Sequence, residues 1–377
     1  MRDSLIPGFI FVVAIAACAK PSMVASNPSP VGIPSVAGER ALQTEAAVRT
    51  REARLQRLDD VSLPLLRHGQ ALCRHEVSHY GFRYLALEEV DDEAERDAYR
   101  KLFGVGERPT IIGVTSGGGA QRAGLAPGDV IVGLGGVDVP SGTQGSVEIA
   151  LQLVQRRTGE PLPVVVRRGR DSVTLEITAE RGCDFPIHLS PSDEINASAD
   201  GRWIEVNAGL LRFAESDEEL QLVIAHEMAH NTIGHSALGR EYERLRGMRG
   251  AVRDAAAAAT GGVAPPGEFS RAQEREADYV GMYYLARAGI DTRGAARFWR
   301  RMAAEDAAGI RDRRDATHPA YPERFLFLEE VHVEIARKRD AGEPLIPDRV
   351  LMRFQAPSTV PRDRRGVAPP SLTTRRE

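Results

Sequence analysis

Cysteine is scarce in this chain: three among 377 residues, at Cys18, Cys73 and Cys183. Set aside the N-terminal Cys18 and only two remain, so one disulfide is the most that can form. No internal apolar run is long enough to cross a bilayer, and the alanine run 255–259 falls far short. Charge of one sign is not in excess either. Charged residues make up 27% and the formal net charge is -4, which gives nothing a nucleic-acid binder needs. What is present is 42% hydrophobic residues, ample for a core, and length for two or three domains.

The N-terminus stands apart. Arg2 precedes the apolar segment 5–17, which closes on Ile15-Ala16-Ala17-Cys18. Residues 1–17 therefore read as a secretory signal peptide and not as a fold element. The closing residues resemble a bacterial lipobox, which implies that Cys18 is lipidated and begins the mature chain. The alternative is an ordinary cleaved signal with an incidental cysteine. Ala19 stands where an Asp signals retention, so the resemblance implies the outer membrane. The expected location is the periplasm, lipid-anchored without a span. Residues 18–38, rich in Pro, Ser, Val and Ala, read as a tether. In an exported chain Cys73 and Cys183 can pair, worth about 3–5 kcal/mol by loop closure. Two buried free thiols are the alternative.

Residues 39–104 read as an N-terminal helical segment. Leu55, Leu58, Val61, Leu63, Leu65 and Leu66 recur near helical spacing, with a break expected at Pro64. A polar helix follows over 93–102. From Pro109 the pattern changes to short β-branched runs: a strand over 110–114, a glycine turn at 117–119, a helix with a broad apolar face over 147–154, and strands over 162–167 and 173–178. The stretch Ala123-Gly124-Leu125-Ala126-Pro127-Gly128-Asp129-Val130-Ile131 resembles bacterial PDZ modules, over 105–180. That resemblance implies binding of extended peptides at a sheet edge. The loop nearest to a carboxylate-binding one is Leu102-Phe103-Gly104-Val105. A PDZ-like spacer that binds nothing is the alternative.

The pattern His-Glu-x-x-His occurs twice. In Leu222-Val223-Ile224-Ala225-His226-Glu227-Met228-Ala229-His230 it lies inside an apolar run after Ser216-Asp217-Glu218-Glu219, a capping box. On a helix, residues four apart share a face, so His226 and His230 can point at one metal ion, with Glu227 beside them to take a proton from water. This is the arrangement of a zinc hydrolase, with one Zn2+ per chain. In His75-Glu76-Val77-Ser78-His79 the pattern follows Arg74 and is closed by Gly81, so it reads as an exposed polar helix end.

Two histidines need a third protein ligand. A second helix begins near Ser270-Arg271-Ala272-Gln273, with Gly289 near its end, and carries Glu274-Arg275-Glu276-Ala277-Asp278. Together with Asn196-Ala197-Ser198-Ala199, Gly209-Leu210-Leu211 and Ser216-Asp217-Glu218-Glu219-Leu220, the chain over about 184–335 resembles the HtpX/BepA-like (CAAX-prenyl-protease-type) zinc metallopeptidases. The resemblance implies that Glu274 is the third ligand and that Asp278 stands behind the site, orienting a zinc histidine. Glu276 points elsewhere on the helix and reads as a solvated surface residue. Thr317-His318-Pro319 and Pro322-Glu323-Arg324 resemble the last family signature. They imply that His318 approaches the metal, as a silencing fourth ligand or a transition-state donor, and that Arg324 hydrogen-bonds nearby. His235 reads as structural. The strand 202–207 is an expected edge for substrate backbone.

The expected fold is α+β: a mainly helical zincin-type metalloprotease domain over 184–340 with a small β-sheet, an inserted PDZ-like β-rich domain, and a disordered tail over 341–377. The expected function is a zinc endopeptidase of the bacterial cell envelope in protein quality control. Its partners would be protein or peptide substrates, with the PDZ-like domain a candidate docking module, and the membrane by lipid anchor, with no nucleic acid. The alternative is a latent zinc-bearing chaperone or PDZ binding lipoprotein.

Overall fold

The computed structural model describes residues 35–156, 159–235, 271–305, 318 and 321–348. The expected signal peptide, Cys18, the tether as far as 34 and the tail from 349 onward lie outside the described residues. The chain divides into two units, Met1–Arg40 and Ala41–Glu377. Of the first, only the opening of one helix is described; the elements below belong to the second.

Helix α1, Val36–His68, runs without a break. A break at Pro64 was the expectation. Proline does remove one helical donor, but Leu63, Leu65 and Leu66 around it are all buried. Tertiary packing therefore carries the helix one turn past the proline. Two strands follow where only helix was expected: β1, Glu76–His79, and β2, Phe82–Leu85. Helix α2, Glu93–Phe103, is capped by Asp92, whose side chain accepts from the Glu95 N–H, and closed by Gly104.

The largest sheet holds β2, β3 (Thr110–Val114), β4 (Val130–Leu134), β6 (Leu162–Arg168) and β7 (Asp171–Ile177) in that order, with β5 (Val137–Asp138) beside β4. The first strand of this sheet thus starts at Phe82, ahead of the expected start of the β-rich domain at 105. Its edge strand β2 pairs antiparallel with β3, which explains why the loop at 102–105 is not the one leading into that edge. Alternate residues Leu162, Val164 and Val166 of β6 face inward with Ile111, Ile131 and Ile177. Helices α3, Gly119–Arg122, and α4, Gly142–Gln155, complete the domain. The apolar face expected on α4 is split: Ile149 is buried, whereas Val147, Leu151 and Val154 are exposed.

Strand β1 pairs antiparallel with β8, Glu180–Cys183. Beside them Cys73 and Cys183 form a disulfide, with Cα atoms 5.7 Å apart. A three-stranded sheet follows, ordered β10 (Ala197–Ala199), β11 (Ile204–Asn207), β9 (Ile187–Ser190). Strand β11 is central, antiparallel to β10 and parallel to β9. The expectation that 202–207 offers an edge is therefore overturned; both its sides are already paired. After α5, Ala208–Phe213, come α6, Asp217–Ile233, then α7, Arg271–Arg287, α8, Ala295–Glu305, and α9, Pro322–Asp340. Helix α6 lies along α7 and against β10 and β11. One core joins these helices to Leu58, Val61, Leu65 and Leu66 of α1. The architecture is α+β, a helix-rich domain with a small sheet joined to a β-rich domain.

Candidate metal centre

Helix α6 starts at Ser216, whose hydroxyl accepts from the Glu219 N–H at 3.3 Å. The second half of the capping box is displaced by one residue: Glu219 accepts from the Glu215 N–H at 2.8 Å. Every residue from Leu220 to Ile233 is buried, so α6 is enclosed all round. His226 and His230 bring their Nε2 atoms to 3.0 Å from each other.

Helix α7 supplies the carboxylates. It approaches α6 closely because Gly281 has no side chain: a Cβ there would stand 3.1 Å from the His226 Cα. Glu274, fully buried, then lies 3.4 Å from the His226 Nε2 through one oxygen and 3.4 Å from the His230 Nε2 through the other. Asp278, one turn on, faces the His226 Nδ1 at 3.0 Å. From α9, buried Arg324 donates to both Asp278 oxygens at 2.7 and 2.8 Å and reaches Glu274 at 3.0 Å. His318 brings its Nδ1 to 3.0 Å from Glu274 and 3.4 Å from the His226 Nε2, while its Nε2 lies 3.3 Å from Glu227. The structure thus brings together His226, Glu227, His230, Glu274, Asp278, His318 and Arg324. It leaves His79 on strand β1 and His75 just before that strand.

Several residues here carry no local sequence signal. Trp299 on α8 stacks edge-on against His226 at 5.2 Å and lies under the Arg324 guanidinium at 4.4 Å. Asn231 accepts from the Gly201 N–H at 2.6 Å and donates to the Trp203 carbonyl, tying the β10–β11 turn to the motif helix. Glu276 is not merely solvated: it faces the His235 Nε2 at 3.1 Å. Only its place beside the motif on the facing helix could have suggested this.

The charges favour a cation or protons in the pocket. Buried Glu227, Glu274 and Asp278, when ionised, face one guanidinium among the described residues, that of Arg324. Two negative charges are then left over, which a divalent cation or protons on His226 and His318 can offset, and an uncompensated buried charge is costly. Protons compensate in part. Burial presses the His226 imidazole down, but Glu274 and Asp278 outweigh it and hold it up to about 9. Burial raises the Glu227 carboxyl against the pull of His318 and His226. Burial opposes the ionised Glu274 too, yet His318 and Arg324 hold it well below the usual carboxylate range. His230, pressed by burial, lies well below its ordinary value despite Glu274.

The donor geometry fits a metal. Around a tetrahedral zinc with bonds of about 2.0–2.1 Å, donors stand about 3.3 Å apart. The separations among His226, His230, Glu274 and His318 quoted above run from 3.0 to 3.4 Å. These four form a metal-capable group among the described residues.

Paired helices carrying this donor set beside a small sheet define a class, the metallopeptidase domains with a His-Glu-x-x-His helix. Residues 171–332 match the model of peptidase family M48. It is 33% identical over 139 residues to the putative beta-barrel assembly-enhancing protease of Vibrio cholerae, covering 32% of this chain and 29% of that one. It is 31% identical over 140 residues to the mitochondrial metalloendopeptidase OMA1 of Schizosaccharomyces pombe, covering 34% and 41%. The chain spans well under half the length of these curated relatives. Among solved structures, the HtrA3 PDZ domain bound to a phage-derived ligand aligns with 28% of this chain and 88% of that one, at 23% identity and a TM-score of 0.22.

Proposed function

We propose that this chain is a zinc-dependent endopeptidase of the cell envelope that acts on misassembled proteins. His226, His230 and Glu274 hold the metal. The observation that carries the reading is the Glu274 carboxylate, which lies 3.4 Å from both histidine nitrogens although it comes from a separate helix. When bound there, zinc would supply Lewis acidity toward a peptide carbonyl and toward water. Glu227 is the base. It takes a proton from the attacking water and returns it to the leaving amine. Its burial favours the protonated form, as suits a group that must both accept and release a proton. Asp278 and Arg324 keep His226 and Glu274 aimed. Substrate backbone pairs with β10, the outer strand of the small sheet and the one against α6.

The remaining parts follow the sequence. Lipidation at Cys18 anchors the chain to the periplasmic side of the outer membrane. The β-rich domain is PDZ-like and offers its edge strand β2 to peptides. A peptidase domain over 184–340 does the cutting. Relatives named for beta-barrel assembly support a role in envelope quality control.

One observation favours a second reading. The His318 Nδ1 lies among the candidate ligand atoms, so His226, His230, Glu274 and His318 would together offer four protein donors to a bound metal. In that reading the resting protein is latent, and its other parts act as a chaperone until His318 withdraws.

Metal analysis of the purified protein, with casein digestion by wild type and Glu227→Gln, tests the proposal. We expect one zinc per chain in both, chelator-sensitive digestion by wild type, and a loss of about 10²–10⁴-fold in Glu227→Gln. Normal digestion by Glu227→Gln would falsify the mechanism. Stoichiometric zinc without any digestion, even in His318→Ala, would favour the chaperone.

A further inference from the structure

Gly234 ends α6 in the left-handed conformation, φ 86°. The next residue, His235, is thereby turned back beneath the helix, 1% exposed, with its Nδ1 2.9 Å from the Nδ1 of His230. Its Nε2 lies 3.1 Å from Glu276 on α7, whose side chain is 36% exposed. We propose that His235 and Glu276 are positioning residues for the metal: a ring and a carboxylate in series that hold His230 with its Nε2, not its Nδ1, toward the ligand group. This rests on the metal site proposed above.

With a neutral His235, the donors and acceptors along this line fall in one order. An ionised carboxylate only accepts, so the His235 Nε2 must carry a hydrogen and donate it to Glu276. A neutral His235 then has a bare Nδ1, which accepts. The two Nδ1 atoms share one hydrogen, which therefore belongs to His230. His230 is left with a bare Nε2, the atom that lies 3.0 Å from the His226 Nε2 and 3.4 Å from Glu274. The tautomer that can ligate is thus set from the far end of the chain, before any metal arrives.

The two ligand histidines are supported differently. His226 faces a buried carboxylate directly, Asp278, itself clamped by Arg324. His230 reaches its carboxylate only through a second ring. A role confined to filling space under α6 would need the bulk of His235 but neither its Nδ1 acceptor nor Glu276.

The test uses the full-length protein and four variants: His235→Ala, His235→Asn, Glu276→Gln and the double His235→Asn/Glu276→Gln. Asn keeps an acceptor near the Nδ1 position and loses the link to Glu276. Zinc affinity is read by competition with a chelating dye, and the ligand field by the visible spectrum after cobalt substitution; thermal unfolding reports folding. We expect His235→Ala to lose about 10–100-fold in affinity, His235→Asn to recover most of it, and Glu276→Gln to lose a few-fold. Glu276→Gln should have no further effect on top of His235→Asn. A changed cobalt spectrum should accompany the loss in His235→Ala. If wild type binds zinc while His235→Asn and Glu276→Gln both match it in affinity and spectrum, the relay is refuted and the metal site stands. If wild type binds no zinc, the metal reading fails and takes the relay with it.

Discussion

The same five-letter pattern occurs at His75 and at His226, and the two copies fold into different elements. The second is a helix, enclosed on all sides, in which two imidazoles meet one turn apart. From Glu76 to His79 the first forms strand β1, paired with β8, with His75 exposed just before it and the His79 Nε2 against the Cys183 carbonyl at 3.1 Å. In a strand, residues four apart are separated by about 13 Å, far too much to share an ion. We read the first copy as a polar helix end; it is a strand because Glu180–Cys183, a hundred residues on, supplies its hydrogen-bonding partner. A motif spells out chemistry only where the backbone has the period that brings its members together.

The comparison can be broken most directly by metal content. His226→Ala should abolish stoichiometric zinc, and the pair His75→Ala and His79→Ala should leave it unchanged. Zinc lost with His79 but kept without His226 would reverse the assignment. The next effect is on the carboxylates behind the second copy. Arg324→Met leaves Asp278 and Glu274 without their buried cation and should cost about 3–5 kcal/mol in denaturant unfolding; a change below 1 kcal/mol would mean that those carboxylates find another partner. Third comes the disulfide beside the first copy. Cys73→Ser/Cys183→Ser should cost about 2–5 kcal/mol of stability while leaving zinc content intact, so metal lost at full stability would contradict the separation drawn here.

The smallest effect distinguishes His79 as a structural histidine. Burial holds its imidazole below the ordinary value, only partly offset by the Cys183 carbonyl. Such a group contributes stability that is present above its unfolded pKa of about 6.5 and lost as pH falls through the lower folded value. The stability difference between wild type and His79→Gln should therefore shift against wild type as pH drops below about 6.5. A difference independent of pH would show that His79 titrates as it does in the unfolded chain.

Much of the site was legible because it is local. The Ser216 cap, the i to i+4 spacing of His226 and His230, and that of Glu274 and Asp278 depend on helix geometry alone. What was misread depended on pairing at a distance. The strand 202–207 alternates as an edge strand would, yet its neighbours β9 and β10 occupy both sides. Pro64 marks a break by local rules, but burial of Leu63, Leu65 and Leu66 overrides it. Glu276 sits on the wrong helical face to join Glu274, and only the turn at Gly234 brings His235 round to meet it.

By itself, then, the sequence determined the donor types and their spacing along each helix, because those follow from bond geometry within a few residues. The tertiary structure decided which of two identical motifs becomes a site. Placing two imidazoles and an acid from another helix in one buried cluster requires Gly281 to let the helices close and Arg324 to offset part of the charge. Neither requirement can be met by residues that are neighbours in the chain, since burying like charges together is unfavourable until groups from distant segments arrive to compensate them.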